Sequence, residues 1–405
     1  MNFFDIKQIE KRIFFYLCGF ALFSSLSVFM GNIFLAFAII GFFRRLYVKH
    51  DDWRCMVPKK GLLVAVAAIW AVVIISSLLS ADIWRGMKIF FDHYLYRMMP
   101  FFIVLLCVRE KKKLILLMGI LVISIVINGM LGIGQSVINI GKYAGTHSGI
   151  IHYMMQATIL TMTIPMLFVG CMRLDDRKWK LVSGVALVIA FVALIFNGRR
   201  GAWIALAAAL PFISFLAVKS KVKWFLGMAV VVLMAVGIFC SSPALMSRFN
   251  SIDNAGEQSR VERFLLWRSS VMMFEDNPVL GVGPGQFGRM YREKYILPEA
   301  KERELGHAHN IFFNMFAECG AIGGIAFCLF WIYLVAMSLY NYHRTKNLAY
   351  IAIFSAAMGI ILHGMTEYTW GATLTMKFFW FVLGIAFAWI NLTEKKETQF
   401  KGRLN

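Results

Sequence analysis

Charge is what this chain most lacks. Asp, Glu, Lys and Arg make up 16% of its 405 residues, against 60% hydrophobic residues and a mean hydropathy of +0.68. Soluble domains carry roughly a quarter charged residues, so a water-soluble globular protein is excluded. Acidic residues are scarcer still, 22 against 42 Lys and Arg, a formal net charge of +20. The seven cysteines (Cys18, Cys55, Cys107, Cys171, Cys240, Cys319 and Cys328) are scattered with no C-x-x-C spacing, which argues against a disulfide framework or a cysteine zinc site. There is no H-E-x-x-H motif, no carboxylate cluster and no obvious D-x-D pair. "GVGPGQFG" at 281–288 has a G-x-G-x-x-G-like spacing, but no strand precedes it, so it reads as a glycine turn allowing close backbone approach and not as a dinucleotide site. No cofactor and no metal are implied.

What the chain has in quantity is apolar runs. A membrane span needs about 20 mostly apolar residues to cross roughly 30 Å of hydrocarbon. Runs of that kind fall near 13–29, 31–43, 61–80, 97–108, 114–133, 151–170, 181–196, 203–217, 224–240, 310–339, 348–363 and 374–391. The expected architecture is therefore all-α, a polytopic integral membrane protein of about twelve transmembrane helices in a single bundle spanning 1–405. The N-terminus has basic residues before an apolar stretch but no convincing cleavage site, so it reads as a retained first span. The first two runs are short and separated only by Gly31 and Asn32, so a hairpin that crosses incompletely is one possibility.

The positive charge has a pattern that does not suit nucleic acid. The clusters "FRRLYVKHDDWRCMVPKK", "REKKK", "RLDDRKWK", "KSKVK", "HRTK" and "EKKETQFKGR" fall in alternate loops and hold most of the Lys and Arg. By the positive-inside rule these loops and both termini are cytoplasmic. The opposite side carries one long segment, 241–309, too long to be mere connection. Within it Phe264, Trp267, Val271 and Phe274 recur at helical spacing, predicting an amphipathic helix that ends before Pro278. Arg260 and Arg263 share a face beside Trp267. One reading places this helix at the membrane surface with its arginines on lipid phosphates; another makes it part of a site.

Other polar groups belong to the same side. "FNGRRGAW" puts Arg199 and Arg200 in a tight turn between apolar runs, and a permanently charged fork suits a diphosphate, although both could instead snorkel to headgroups. "SADIWRGMKIF" adds Arg85 and Lys88, "HAHN" adds His307, His309 and Asn310, and "LHGMTEYTW" sets His363 and Glu367 four apart. His307, His309, His363 and Glu367 could form a metal set. A histidine acting as proton acceptor needs fewer assumptions, since imidazole titrates near neutrality without tuning. Glu318, the one clear carboxylate deep in a predicted span, has no role in this reading.

Taken in order, "NGRRGAW", "RFLLW", "NPVLGVGPGQF" and "HAHNIFFNMFAECGAIGG" resemble the O-antigen ligase and polymerase superfamily of bacterial envelope glycosyltransferases, and through it GT-C-type glycosyltransferases. The resemblance covers roughly 140–385, and "YAGTHSGIIHYMMQATILTMTIP" looks like a further family element. It implies transfer of a glycan from an undecaprenyl diphosphate carrier to an acceptor hydroxyl, the lipid A-core for a ligase or a second lipid-linked unit for a polymerase, at the outer face of the inner membrane. Membrane lipids surround the site, and the 241–309 loop forms part of it. Carried onto this sequence, His309 is the expected general base. Arg200 and Arg263 stabilise the leaving diphosphate. Arg199, Arg260, His307, Asn310, Trp267 and Glu367 contact or orient substrate, with Arg85 and Lys88 on weaker grounds. The size and the single dominant outer loop favour a ligase. A transporter or flippase would show matching broken helices in two halves and acidic residues within spans, and the sequence offers neither beyond Glu318.

Overall fold

The computed structural model describes residues 5–48, 60–138, 149–253 and 257–401, and these are all-helical. Cys55 and residues 143–148 of the "YAGTHS" stretch lie outside the described residues. The first helices are α1 (Ile6–Phe23), α2 (Val28–Val48), α3 (Lys60–Leu78), α4 (Ile83–Ile89) and α5 (Met99–Cys107). There follow α6 (Lys111–Ile138), α7 (Tyr153–Arg173), α8 (Arg177–Asn197), α9 (Arg200–Ala217) and α10 (Lys221–Ser241). Next come α11 (Pro243–Asn250), α12 (Gln258–Asp276) and α13 (Phe287–Met290), then α14 (Ile311–Thr345), α15 (Leu348–Gly364) and α16 (Thr373–Lys401).

Among the described residues ten helical segments are long and apolar enough to cross a membrane. The two other runs predicted as spans are α1, whose first turns hold Lys7, Glu10, Lys11 and Arg12, and α15, which is apolar but 17 residues long. The protein is a multi-pass membrane protein. α1 and α2 pack as an antiparallel hairpin closed by Arg45, whose Nε donates to Glu10 Oε1 at 2.8 Å. At 21 residues α2 is about 31 Å long at 1.5 Å per residue, enough to span.

The run at 97–108 is a correction. It is the second half of a 25-residue crossing, Ile83–Cys107, whose α4 and α5 are joined by a π-helical turn at Phe90–Leu95 and a 3₁₀ turn at Tyr96–Met98. Arg85, Lys88, Asp92 and His93 interrupt the apolar pattern, and they hide the first half from hydropathy. Asp92 therefore joins Glu318 as a carboxylate within a crossing.

Burial orders the bundle. Most of α16 and α7 is enclosed, 89% and 72% of their spanning windows, while α10 has no buried residue. α16 packs on α5 and α15, α14 on α3 and α15, and α7 on α8, α9 and α15. Lipid tails are as apolar as the side chains, so close packing and buried hydrogen bonds hold helices together. The wide aromatic seam of Phe101, Phe330, Trp331, Trp370, Phe379 and Trp380 is such a contact.

The loop segment between α10 and α14 makes a small core of its own. α12 forms and ends at Asp276, two residues before Pro278, as its spacing predicts. Its buried face, however, is Glu262, Leu266, Ser269, Ser270 and Met273, while Phe264 and Val271 are exposed. Hydrogen bonds explain the reversal. Glu262 accepts the backbone N–H groups of Lys301 and Glu302 at 2.9 and 3.4 Å, and Ser269 Oγ donates to the Tyr295 carbonyl at 2.7 Å. Leu266 and Met273 meet Phe287, Tyr291 and Tyr295.

The glycine turn fits against a break in α14. Gly320 (φ 63°, ψ −162°) interrupts that helix, and Val282 and Gly283 donate their N–H groups to the carbonyls of Ala317 and Glu318, both at 2.9 Å. A Cβ on Gly281 would come within 2.3 Å of the Glu318 backbone. Both glycines have positive φ and no room, so the close approach here is to the protein's own backbone. Glu318 Oε1 accepts the Phe287 N–H at 3.2 Å, so it ties the end of the turn to the broken helix.

Candidate functional site

Segments remote in sequence meet at one end of the bundle. α8 ends at Gly198, left-handed at φ 73°, and α9 starts two residues later. Only glycine takes that conformation without a steric cost, and it lets two spans reverse within three residues, setting Arg199 and Arg200 side by side. α9 runs so close to the turn after α15 that a Cβ on Gly201 would lie 2.4 Å from Thr366 Oγ1. α12 crosses over this junction, and the irregular 307–310 segment leads into α14 beside it.

Asn310 anchors that segment. Its Oδ1 accepts the N–H groups of Phe312 and Phe313 at 2.9 and 3.2 Å, capping α14, and its Nδ2 donates to the Met365 carbonyl at 3.0 Å. Trp267 ties α12 to the same segment, donating Nε1–H to the Ala308 carbonyl at 3.1 Å and stacking on Phe313. Between these two anchors His309 is held at φ 48°. A non-glycine residue in the left-handed region is uncommon, and such strain persists only where surroundings over-determine it.

His309 Nδ1 lies 3.0 Å from Glu367 Oε2, and Arg263 Nη2 donates to Glu367 Oε1 at 2.7 Å. The Glu367 side chain is 9% exposed, against 22% for His309 and 27% for Arg263. Burial works to raise the Glu367 carboxyl. The hydrogen bond and charge of His309, then the charges of Arg263 and His363, outweigh it and hold the group at about 2. With Nδ1–H committed to a carboxylate, Nε2 is the nitrogen left to accept a proton. His307 stacks on Tyr368 and sits edge-on to His309, with its Nδ1 accepting the His309 N–H at 3.4 Å. Burial, and then the neighbouring His309 charge, pull His307 down to about 4, so it is neutral at pH 7.

The arginines divide. Arg199 lies with its guanidinium 3.6 Å over the Tyr153 ring, within the field of Glu367, Arg248 and Arg263, and burial lowers its pKa from the usual value. Arg200 Nη1 donates to the Ser251 carbonyl and Oγ at 2.9 Å, its Nη2 donates to Ser259 Oγ at 3.2 Å, and it pairs with Glu257. Arg260 Nη1 donates to the Ile252 carbonyl at 3.4 Å. Arg85 and Lys88 are exposed on α4, and Arg85 lies by Gly285 of the glycine turn. The structure thus brings His309, His307, Glu367, Arg263 and Arg199 together, with Asn310 and Trp267 as anchors.

Sequence reasoning did not single out Tyr153, His152, Glu257 or Tyr368. Each acts across a long chain separation, and no local spacing signals it.

This geometry can hold an anion between cations and accept a proton beside them. No curated protein matches the chain. Residues 185–328 match the family model described as O-Antigen ligase, a stretch that holds Arg199, Arg200, Arg263, His307 and His309 and stops short of Glu367. The match covers about a third of the chain, and over that stretch the protein is similar to the O-antigen ligase family.

Proposed function

We propose that the protein transfers a glycan from undecaprenyl diphosphate to a hydroxyl of a lipid A-core acceptor, at the periplasmic face of the bacterial inner membrane, with both termini cytoplasmic. The observation that carries this is the His309–Glu367 contact at 3.0 Å, made by a histidine in a strained backbone conformation to a carboxylate that Arg263 also holds. The acceptor oxygen attacks the anomeric carbon opposite the leaving group. Its proton passes to His309 Nε2, and the carbon–oxygen bond to the diphosphate breaks with the electron pair leaving on the phosphate oxygen. Configuration inverts. Glu367 holds the imidazole and stabilises the imidazolium that forms. Arg263 and Arg199 face the developing diphosphate charge. Arg200 joins them by exchanging Glu257 for phosphate oxygens, and Glu257, 26% exposed, returns to water when it does. Arg85 and Lys88 lie where a lipid-linked headgroup can pass the glycine turn.

The test uses purified protein in lipid nanodiscs with a lipid-linked glycan donor. One arm adds lipid A-core acceptor, and a second adds only further lipid-linked units. Product in the first arm that disappears in His309→Gln is the expected result. Product in the second arm alone would make the protein a polymerase, and donor translocation without bond formation would make it a transporter.

A further inference from the structure

Arg97 is buried inside the Ile83–Cys107 crossing, its side chain 2% exposed. A charged group there is costly unless it is matched. Its Nη2 donates to Asp92 Oδ2 at 2.8 Å, and its Nη1 donates to the carbonyls of Trp370 and Gly371 at 3.3 and 2.9 Å. Asp92 and Arg97 are five residues apart, a spacing that an α-helix puts on different faces. The wide turn at Phe90–Leu95 brings them to one side, and π turns of this kind mark functional positions in helices. Lys377 of α16, over the Tyr96 ring and bonded to Asn32 Oδ1, and His93, 3.5 Å from Asp92, complete the polar group.

The two carbonyls that Arg97 holds belong to the short 367–371 turn between α15 and α16. That turn carries the carboxylate on His309 and the ring on which His307 stacks. We propose that Arg97, clamped by Asp92, is a positioning residue for Glu367. The clamp fixes the 367–371 turn from inside the membrane and so sets the Glu367–His309 distance. The inference rests on His309 being the base. A displacement near 1 Å can cost about 100-fold in rate, which sets the scale of the expected effect.

The experiment compares wild type with Arg97→Met, Arg97→Lys and Asp92→Asn as purified, monodisperse protein in nanodiscs. Hydrogen exchange across 365–371 is measured first, then transfer rate against pH. The groups around His309 and Glu367 are His363 at the end of α15, His307 in the segment before α14, Arg263 on α12, Arg199 at the start of α9 and His152 at the start of α7. Glu367→Gln removes the anion that favours imidazolium, so it moves the acid limb of the rate profile to lower pH.

Arg97→Met is expected to lower kcat about 10- to 100-fold, with donor KM changed less than about twofold because it touches no substrate. It also speeds exchange at 365–371 and moves the acid limb in the same direction as Glu367→Gln. Arg97→Lys recovers part of the rate. Arg97→Met added to Glu367→Gln costs little more than Glu367→Gln alone. Unchanged exchange at 365–371, an unmoved acid limb or additive losses in the double variant overturn the proposal. Should Arg97→Met fail to fold, Asp92→Asn keeps the cation, weakens the clamp and is read in the same way. Full rate in His309→Gln would remove the base reading alone, since the exchange measurement still decides whether Arg97 holds the turn.

Discussion

Two arginine–glutamate pairs join α12 and its flanking chain to the bundle, and they differ in what shares the carboxylate. Arg263 reaches from α12 to Glu367, which is buried and also holds His309. Arg200 reaches from α9 to Glu257 at the start of α12, which is more exposed, and shares its guanidinium with two serines. The first pair is locked, because breaking it would leave a buried carboxylate with one partner fewer. The second is exchangeable, because a carboxylate that regains water loses little, and partly exposed pairs are worth about 0–1 kcal/mol. The same two residue types therefore make a rigid support in one place and a releasable hold in the other.

The locked side should show the largest effects. His309→Gln removes the proton acceptor and is expected to lower the transfer rate by about 100- to 10,000-fold, measured as glycan product per unit time at saturating donor. A rate within tenfold of wild type would detach the base from this cluster.

Next in size is Glu367→Gln, which keeps a hydrogen-bonding oxygen and removes the charge, for a loss on the order of 100-fold. The same variant carries a stability signature. The folded pKa of Glu367, about 2, lies below its ordinary value of 4.5. The carboxylate therefore contributes stability that is present above about pH 4.5 and is lost as pH falls towards 2. Glu367→Gln flattens that part of an acid melting series.

The exchangeable side predicts smaller effects of opposite sign. Arg200→Lys keeps the charge and loses the fork, and kcat/KM should fall about tenfold. Glu257→Gln frees Arg200 for phosphate, so donor KM should fall a few-fold with kcat unchanged. A rise in KM with Glu257→Gln would make the Arg200 pair a fixed support like the other, and the contrast would collapse.

Much of this was legible in the sequence, for stated reasons. Hydropathy located the helices because a span must be continuously apolar, and it failed at 83–96, where Arg85, Lys88, Asp92 and His93 sit within the crossing. Helical spacing located α12 and its end at Pro278, but the row Phe264, Trp267, Val271, Phe274 is not its buried face. There Glu262 and Ser269 are enclosed by hydrogen bonds to backbone, which periodicity of apolar residues cannot register. The histidines, Glu367 and the arginines were nameable as types in a polar segment. That Glu367 meets His309 across 58 residues, or that Arg199 lies on Tyr153, depends on helix packing that no local pattern encodes. Glu318 had no reading in sequence because its partner, the Phe287 N–H, is delivered by the glycine turn only once α14 is broken at Gly320.

The smallest effect belongs to His307, and it separates the two histidines. Its folded pKa, about 4, lies below the ordinary 6.5. Between those values the unfolded chain binds a proton that the folded chain does not, so stability falls as pH drops through this window and levels off below about 4. His307→Gln keeps an acceptor for the His309 N–H and cannot take up that proton. Its melting temperature should therefore be flatter than wild type between pH 6.5 and 4, read by intrinsic fluorescence. At pH 7 wild-type His307 is already neutral, so the transfer rate of the variant should stay within about threefold, far short of the 100-fold or more that removal of a general base costs. A loss as large as that of His309→Gln would mean that the proton goes to His307, and the Arg263–Glu367 pair would then be a support for the 307–310 segment and not for the base.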